Sequence, residues 1–302
     1  MSAAPGTAVR ERLVDVAYAT GWRVVRALPP RVAHDLFRRG ADRAARRDGA
    51  GPRRLRANLA RLAPDADLDV LVREGLRSYA RYWCEVFRLP AMDPAELHRR
   101  MDPHVRGAQP FLDAQAQGRG VIFALAHSGN WDVAGVWLVE TLRALGREPG
   151  FTTVAARLRP ESLYRRFVAY RSSLGFEVVA AEDGSDAYRA LTRRLRGGGV
   201  VCLVSDLDLS SSGVDVTLCG EPARLPGGAA RLAATTGALL LPAVPSFTPD
   251  GWALDIADPV PVPDRAATAK ATQGIADALA GMLARVPADW HMLQPVWNAD
   301  RR

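Results

Sequence analysis

Apolar residues recur along this chain in two rhythms, and the change between them divides it. Toward the N-terminus the spacing is helical. Leu13, Val16, Ala17, Trp22, Val24 and Val25 interleave with Arg10, Arg12, Arg23 and Arg26, which predicts an amphipathic helix over residues 8–28, ended by Pro29-Pro30. A second helix is expected over 32–47, broken by Gly49-Ala50-Gly51-Pro52, with others at 53–62, 68–88 and 94–101. Leu71, Tyr79, Trp83 and Phe87 read as core positions of the fourth. From about Gly118, short apolar runs alternate with helical stretches. Strands are expected at 121–126, 150–155, 176–180, 200–205, 238–244 and 252–256, and helices at 130–145, 160–174, 185–196, 226–236 and 267–286. The pattern predicts an α/β fold: a central, mostly parallel sheet flanked by helices, with a helical N-terminal annex. Residues 1–62 form that annex and 63–302 the α/β domain, the two expected as one structural domain overall.

Composition narrows the function. The chain has 302 residues, 48% of them hydrophobic, enough for a large core. No apolar run approaches the ~18 residues of a membrane span, and Arg10, Arg12 and Asp15 interrupt the first apolar segment, so no secretory signal is read there. Cys84, Cys202 and Cys219 have no metal-ligand spacing and fit a reducing cytoplasm. The net charge of +7 is concentrated early: residues 1–61 hold fourteen Arg against five acids. Basic surface attracts nucleic acid and anionic lipid by the same physics. No zinc finger or aromatic RNA-binding motif accompanies it, so an anionic membrane surface is the expected partner and nucleic acid is not. The annex is therefore read as membrane-associating.

The chemistry concentrates at His127-Ser128-Gly129-Asn130-Trp131-Asp132, between the first expected strand and the next helix. A strand-to-helix turn at the carboxyl end of a sheet is where α/β folds present reactive groups. On one helix, residues five apart point about 140° away from each other; a turn between them lets Asp132 fold back onto the imidazole, making a base with its orienter. The plain alternative is a capping Asp beside an incidental His. Asn130 suits the tight turn and Trp131 a pocket wall. A second acid, Asp206, follows the apolar run Val200–Val204 and so also sits at a strand's carboxyl end, with Asp208 as its alternative. Asp206-x-Asp208 fits a metal-dependent glycosyltransferase as well, through carboxylates holding a cation against a diphosphate. His34, His98, His104 and His291 have no ligand-spaced partners and read as structural; Trp290, Met292 and Trp297 read as core or membrane-facing packing. No Gly-x-Ser-x-Gly elbow is present, which disfavours a covalent acyl-enzyme.

His127–Asp132 resembles the first block of the glycerolipid acyltransferase superfamily. The likeness continues through Phe151–Ala155, Pro160–Phe167, Leu174–Val178, Ser205–Leu209, Thr236-Gly237-Ala238 with Leu241-Pro242, and Ala288–Pro295. Together these blocks resemble the lipid A acyltransferase-like branch, and within it most closely the phosphatidylinositol mannoside acyltransferase group. The resemblance implies transfer of a long fatty acyl chain, palmitoyl, to the 6-hydroxyl of a mannose. Acyl-CoA is then the co-substrate, a mannosylated phosphatidylinositol the acceptor, and neither cofactor nor metal is needed. It implies a peripheral protein on the cytoplasmic face of the plasma membrane, with His127 as general base and Asp132 or Asp206 as acidic partner. Relatives usually carry Glu where Asp206 stands, and one methylene less shortens the reach by ~1.5 Å. It further implies a substrate contact from Arg165 or Arg166, whose guanidinium would fork onto a phosphate. From the residues themselves, Ser212 in the loop Ser210-Ser211-Ser212-Gly213 is read as a donor to a thioester oxygen, and Trp131 and Asn130 as further substrate contacts. The alternative within the branch is a lipid A-type enzyme that draws on acyl carrier protein.

Overall fold

The computed structural model describes residues 20–157, 161–208 and 213–301. Its sheet strands are β1 (Val105–Arg106), β2 (Val121–Leu125), β3 (Phe151–Ala155), β4 (Phe176–Ala180), β5 (Val200–Val204), β8 (Leu239–Phe247) and β9 (Trp252–Ile256). They lie in the order β1-β9-β8-β2-β5-β3-β4. The five strands from β8 to β4 are mutually parallel. β9 returns antiparallel to β8 across the Pro249-Asp250-Gly251 turn, and β1 runs parallel to β9. The expected mostly parallel sheet is therefore present, with all six strands read from the sequence near their expected positions.

Between β5 and β8 lies a separate antiparallel hairpin, β6 (Val214–Leu218) and β7 (Glu221–Leu225), that the sequence reading did not anticipate. Val214, Val216 and Leu218 do alternate with polar residues, but the turn is Cys219-Gly220 rather than a familiar hairpin pair. Both turn residues have positive φ, 51° and 81°, as a primed turn demands.

Ten further helices follow α1, whose described part is residues 20–27. They are α2 (Pro30–Arg47), α3 (Ala50–Leu62), α4 (Leu68–Arg88), α5 (Pro94–Met101), α6 (Gln109–Ala116), α7 (Trp131–Ala144), α8 (Glu161–Ser173), α9 (Ser185–Arg196), α10 (Gly228–Thr236) and α11 (Thr268–Leu283). Of these, only α6 was not anticipated. The pleat sorts the strand side chains between two cores. Val121 and Phe123 of β2 join Val200 and Cys202 of β5 against α7, while Ile122 and Ala124 join Val201 against α10 and α11. Because both faces are buried, these strands read as unbroken apolar runs rather than as alternation.

The basic N-terminal part is built into the molecule. Leu55, Leu59 and Leu62 of α3 belong to the α10/α11-side core. Trp22 packs inward, its indole N–H donating to Phe87 O at 2.9 Å and its ring 5.6 Å from that of Tyr170. Of the apolar face expected over 8–28, Leu13, Val16 and Ala17 fall outside the described residues. In the described part Val24 of that face points outward, 52% exposed, and Val32 and Leu36 of α2 join it at 50% and 57%. On α2 the positions 32, 36, 39 and 43 share one stripe, bringing Arg39 and Arg43 beside Val32 and Leu36. Among the described residues no helix is long and apolar enough to cross a membrane.

Candidate active site

Leu125 and Val204 are register partners at the ends of β2 and β5. His127 and Asp206 each lie two residues farther on, and parallel neighbours are only about 4.8 Å apart. Equal offsets from a paired row bring the two side chains together. Asp206 Oδ1 stands 2.7 Å from His127 Nδ1. Its Oδ2 accepts from the His127 backbone N–H and from the Trp290 indole N–H, each at 2.8 Å. The shorter side chain therefore reaches the imidazole directly, because the loop after β5 is drawn in by the backbone of His127 itself. With a carboxylate at Nδ1, that nitrogen carries the proton and Nε2 holds the lone pair.

The electrostatics follow from opposed effects. Burial alone would push the His127 imidazole toward neutrality, but the charge of Asp206 and the hydrogen bond to it prevail and raise its pKa above the ordinary value. Burial would likewise raise Asp206, yet the facing imidazole and the donated bonds hold it below the usual carboxylate range. Asp206 is buried, whereas the His127 side chain remains 34% exposed toward the opening.

The turn is clamped by the chain's C-terminal segment. Gly129 N–H donates to Asp289 O at 2.9 Å, and His291 N–H to His127 O at 2.8 Å. Gly129 has φ +52°, and a Cβ there would stand 2.7 Å from the backbone of Pro245 and Ser246, so only glycine fits.

Asp132 does not fold back onto His127. It lies in the first turn of α7 and is buried, accepting from Tyr82 Oη at 3.0 Å and Arg171 Nε at 2.9 Å. The helix directs this carboxylate away from the turn, onto α4 and α8. Asn130, expected to meet substrate, is spent within the protein. Its side-chain oxygen caps α7 through Val133 N–H, and its amide donates to Glu85 Oε2 at 2.7 Å. Glu85 also accepts from the Trp252 indole and from Arg81, tying α4, α7 and β9 together. Arg165 and Arg166 lie exposed on α8, while Arg171, two turns along, enters the site. Ser212 lies outside the described residues. Asp208 is buried with Oδ2 where a Cβ on Gly213 would sit. Asp206 and Asp208 are thus not a pair of open carboxylates facing a cation. Among the described residues no three His, Cys, Asp or Glu side chains are grouped to hold a metal.

His291 was read as structural, and it is buried, in a second polar chain beside the first. Asp289 accepts the Ser78 hydroxyl proton at 2.6 Å, so His291 Nε2 donates to Ser78 Oγ at 2.9 Å. Burial, with the charge of His127 adding to it, pushes the His291 pKa down to about 3, leaving a neutral ring. Trp290 is a core residue that also holds Asp206. None of Tyr82, Glu85 and Arg171 stood out in the sequence, because each is one polar residue on a long helix.

Trp131 does form a pocket wall. Its ring lies edge-on to His127 at 5.8 Å and stacks near Tyr82 at 3.9 Å. Beneath it a narrow apolar slot lies between α7 and the sheet, with about 70 Å³ free. Leu125 and Val204 line it near the His127 turn, Phe123 and Cys202 deeper, and Phe151 and Phe176 at the opposite strand ends. Asp132 and Arg171 supply its polar lining.

The mostly parallel sheet is the one the sequence likeness led one to expect, and its carboxyl edge carries the His127–Asp206 pair. The family model described as bacterial lipid A biosynthesis acyltransferase matches residues 4–299, and the chain belongs to that family. It is 48% identical over 293 residues to the phosphatidylinositol mannoside acyltransferase of Mycolicibacterium smegmatis, covering 96% of this chain and 93% of that protein. It is 46% identical over 302 residues to the Mycobacterium tuberculosis protein of the same name, covering 98% and 92%.

Proposed function

We propose that this acyltransferase moves a long-chain fatty acyl group, palmitoyl, from acyl-CoA to the 6-hydroxyl of a mannose in a phosphatidylinositol mannoside. The observation that carries the reading is the His127–Asp206 pair, held at the carboxyl edge of the sheet beside Trp131, which also walls the apolar slot. A thioester tail lying in that slot presents its carbonyl beside His127. Nε2 takes the proton of the mannose hydroxyl as its oxygen bonds to the carbonyl carbon. The carbon–sulfur bond then breaks, and the imidazolium returns the proton to the departing thiolate. Asp206 stabilises the imidazolium and fixes its tautomer, as the acid does in a serine hydrolase triad. A positioned base of this kind contributes about 10²–10⁴-fold. The names of the relatives support the acceptor.

The test is incubation with labelled palmitoyl-CoA or palmitoyl-acyl carrier protein and a panel of glycolipids that includes mannosylated phosphatidylinositols and lipid A precursors. Label is expected on the mannosides from the CoA donor. Label only on a lipid A precursor, from the carrier-protein donor, would replace this reading with the lipid A one.

Both proposed substrates are amphiphiles, and we infer peripheral binding at the cytoplasmic face of the plasma membrane. The stripe Val32, Leu36, Arg39 and Arg43 supports this, since it pairs apolar insertion with attraction to anionic headgroups. Binding to vesicles is expected to strengthen with anionic lipid and weaken with salt. The double variant Leu36→Asp/Arg39→Glu removes one exposed Leu from the inserting face, adds one negative charge and reverses another, so its partition should fall at least about tenfold. Equal binding by variant and wild type would remove α2 from the membrane contact.

A further inference from the structure

A groove opens between the first half of α2, α4 and the β8–β9 turn. It holds two adjoining cavities with about 750 Å³ and 370 Å³ free, which share His34 and Arg81 as walls. Neither His127 nor Asp206 lines either of them. The larger gathers cations from three helices: Arg31 of α2, Arg81 and Arg88 of α4, and Arg100 of α5. Three of these are held in place. Arg81 donates to Glu85 Oε1, Thr248 O and Gly251 O at 2.8, 3.0 and 2.8 Å, and lies 4.1 Å from the Phe247 ring centre. Arg88 donates from Nη1 to Val25 O and Leu28 O at 2.9 and 2.6 Å, so its Nε–Nη2 edge stays open. Arg100 donates to Asp250 O and lies 5.1 Å from the Trp252 ring centre. Among the described residues none of Arg31, Arg88 and Arg100 is ion-paired, and the cavity wall sets one unpaired carboxylate, Asp250, against them. The other acid there, Glu85, is buried and already accepts from Arg81, Asn130 and Trp252. His34 makes no hydrogen bond among the described residues, so its ring offers one that the protein leaves unused. Burial, joined by the charges of Arg81 and Arg88, keeps its pKa below the ordinary value despite Glu85 and Asp35.

We propose that this groove is a binding site for the phosphodiester headgroup of an anionic lipid. The chemistry favours phosphate, because an open guanidinium fork takes two of its oxygens at once and the walls present several such donors. The placement favours a lipid as its carrier. Positions 31, 34 and 38 form the row of α2 that lines the two cavities. The stripe 32, 36, 39 and 43 lies about 120° round the same helix. A lipid lying against that stripe has its headgroup at the rim of the groove. Met92, Pro249 and Trp252 supply an apolar floor for the glycerol behind the phosphate. The proposal rests on the membrane-surface reading and adds to it a site that chooses among anionic lipids; the acyl-transfer step does not enter it. Charge alone draws a protein to any anionic surface, whereas fixed forks distinguish phosphate from carboxylate.

The experiment measures partition of the full chain onto phosphatidylcholine vesicles carrying phosphatidylglycerol or, at equal surface charge, oleate. The wild type should bind the phosphatidylglycerol vesicles about tenfold more tightly. Arg31 and Arg100 are both exposed, so Arg31→Gln/Arg100→Gln should stay folded, which a thermal melt checks. In that variant the ratio between the two surfaces should fall to about one. Arg39→Gln/Arg43→Gln removes the same charge from the stripe and should weaken both surfaces alike, keeping the ratio. A soluble arm separates the two sources of phosphate: calorimetric titration with dihexanoylphosphatidylglycerol, with and without inorganic phosphate. The lipid should bind the wild type and not Arg31→Gln/Arg100→Gln, with inorganic phosphate a weak competitor. Inorganic phosphate binding as tightly as the lipid overturns the lipid assignment. Equal wild-type binding to the two surfaces, or a ratio unmoved in Arg31→Gln/Arg100→Gln, overturns the site and leaves the membrane reading standing. A wild type that binds neither vesicle overturns both.

Discussion

Replacing His127 by alanine is expected to lower kcat by about 10²–10⁴-fold while the protein stays folded, because the base is lost and little else. Asp206 keeps two of its three donors in that variant, the backbone N–H at position 127 and the Trp290 indole. The carboxylate therefore stays satisfied and the loop stays in place. Turnover from labelled donor and a thermal melt on the same sample check both halves. Near-normal turnover in a folded His127→Ala sample would sink the general-base mechanism.

The partner acid has its own signature in the pH profile. The free base must be neutral, so kcat/KM should fall with decreasing pH through a pKa above the ordinary histidine value of about 6.5. In Asp206→Asn the charge that raises it is gone and burial acts alone, so the acid limb should move to lower pH even as the rate drops. Asp206→Glu keeps the charge but must fit another methylene where three bonds are already made directly, and intermediate activity is expected. An acid limb that stays put in Asp206→Asn would separate this carboxylate from the base.

The second large effect is on stability and comes from Asp132. The carboxylate is 1% exposed and is held by Arg171 and Tyr82. Asp132→Asn leaves the buried guanidinium without its counter-charge, a class of change that costs about 3–5 kcal/mol. At roughly 2–4 °C per kcal/mol for a large domain, the melting temperature should fall by roughly 6–20 °C. Removing both charges in Asp132→Asn/Arg171→Met should recover part of that loss, since replacing a whole buried pair is far milder than breaking one. Were Asp132 the orienter of His127, the single variant would melt normally and lose only turnover. A wild-type melt with dead chemistry would restore that role and contradict the geometry.

These two acids show how far the residues alone could be read. Both were legible as candidates, since each follows an apolar run. Which one reaches the imidazole depends on strand order, and β2 and β5 are neighbours although about 80 residues apart. The concern over the reach of Asp206 assumed a fixed backbone, yet the loop closes the distance itself. The fate of Asp132 could not be seen, because Tyr82 and Arg171 come from α4 and α8, 50 and 39 residues away. Asn130 was correctly placed in a tight turn, but a capping amide and a substrate-binding amide look alike in a sequence. The sheet was readable because buried parallel strands are short apolar runs bounded by turns. The hairpin was missed because Cys219-Gly220 is an unusual primed turn.

The clamp on the catalytic turn also has a consequence in time. The hydrogen bonds from Gly129 to Asp289 and from His291 to His127 join residues 160 and 164 positions apart. During synthesis the histidine leaves the ribosome long before the segment that fixes it. At about 5–20 residues per second, His127 waits roughly 8–30 s for its partners. For the first part of that interval β2 lacks both neighbours, β5 and β8, and the apolar walls of the slot stand open to water and to other chains. A nascent chain of this protein is thus a client for holding chaperones until its last few dozen residues emerge, and activity should appear in one late step rather than grow with chain length.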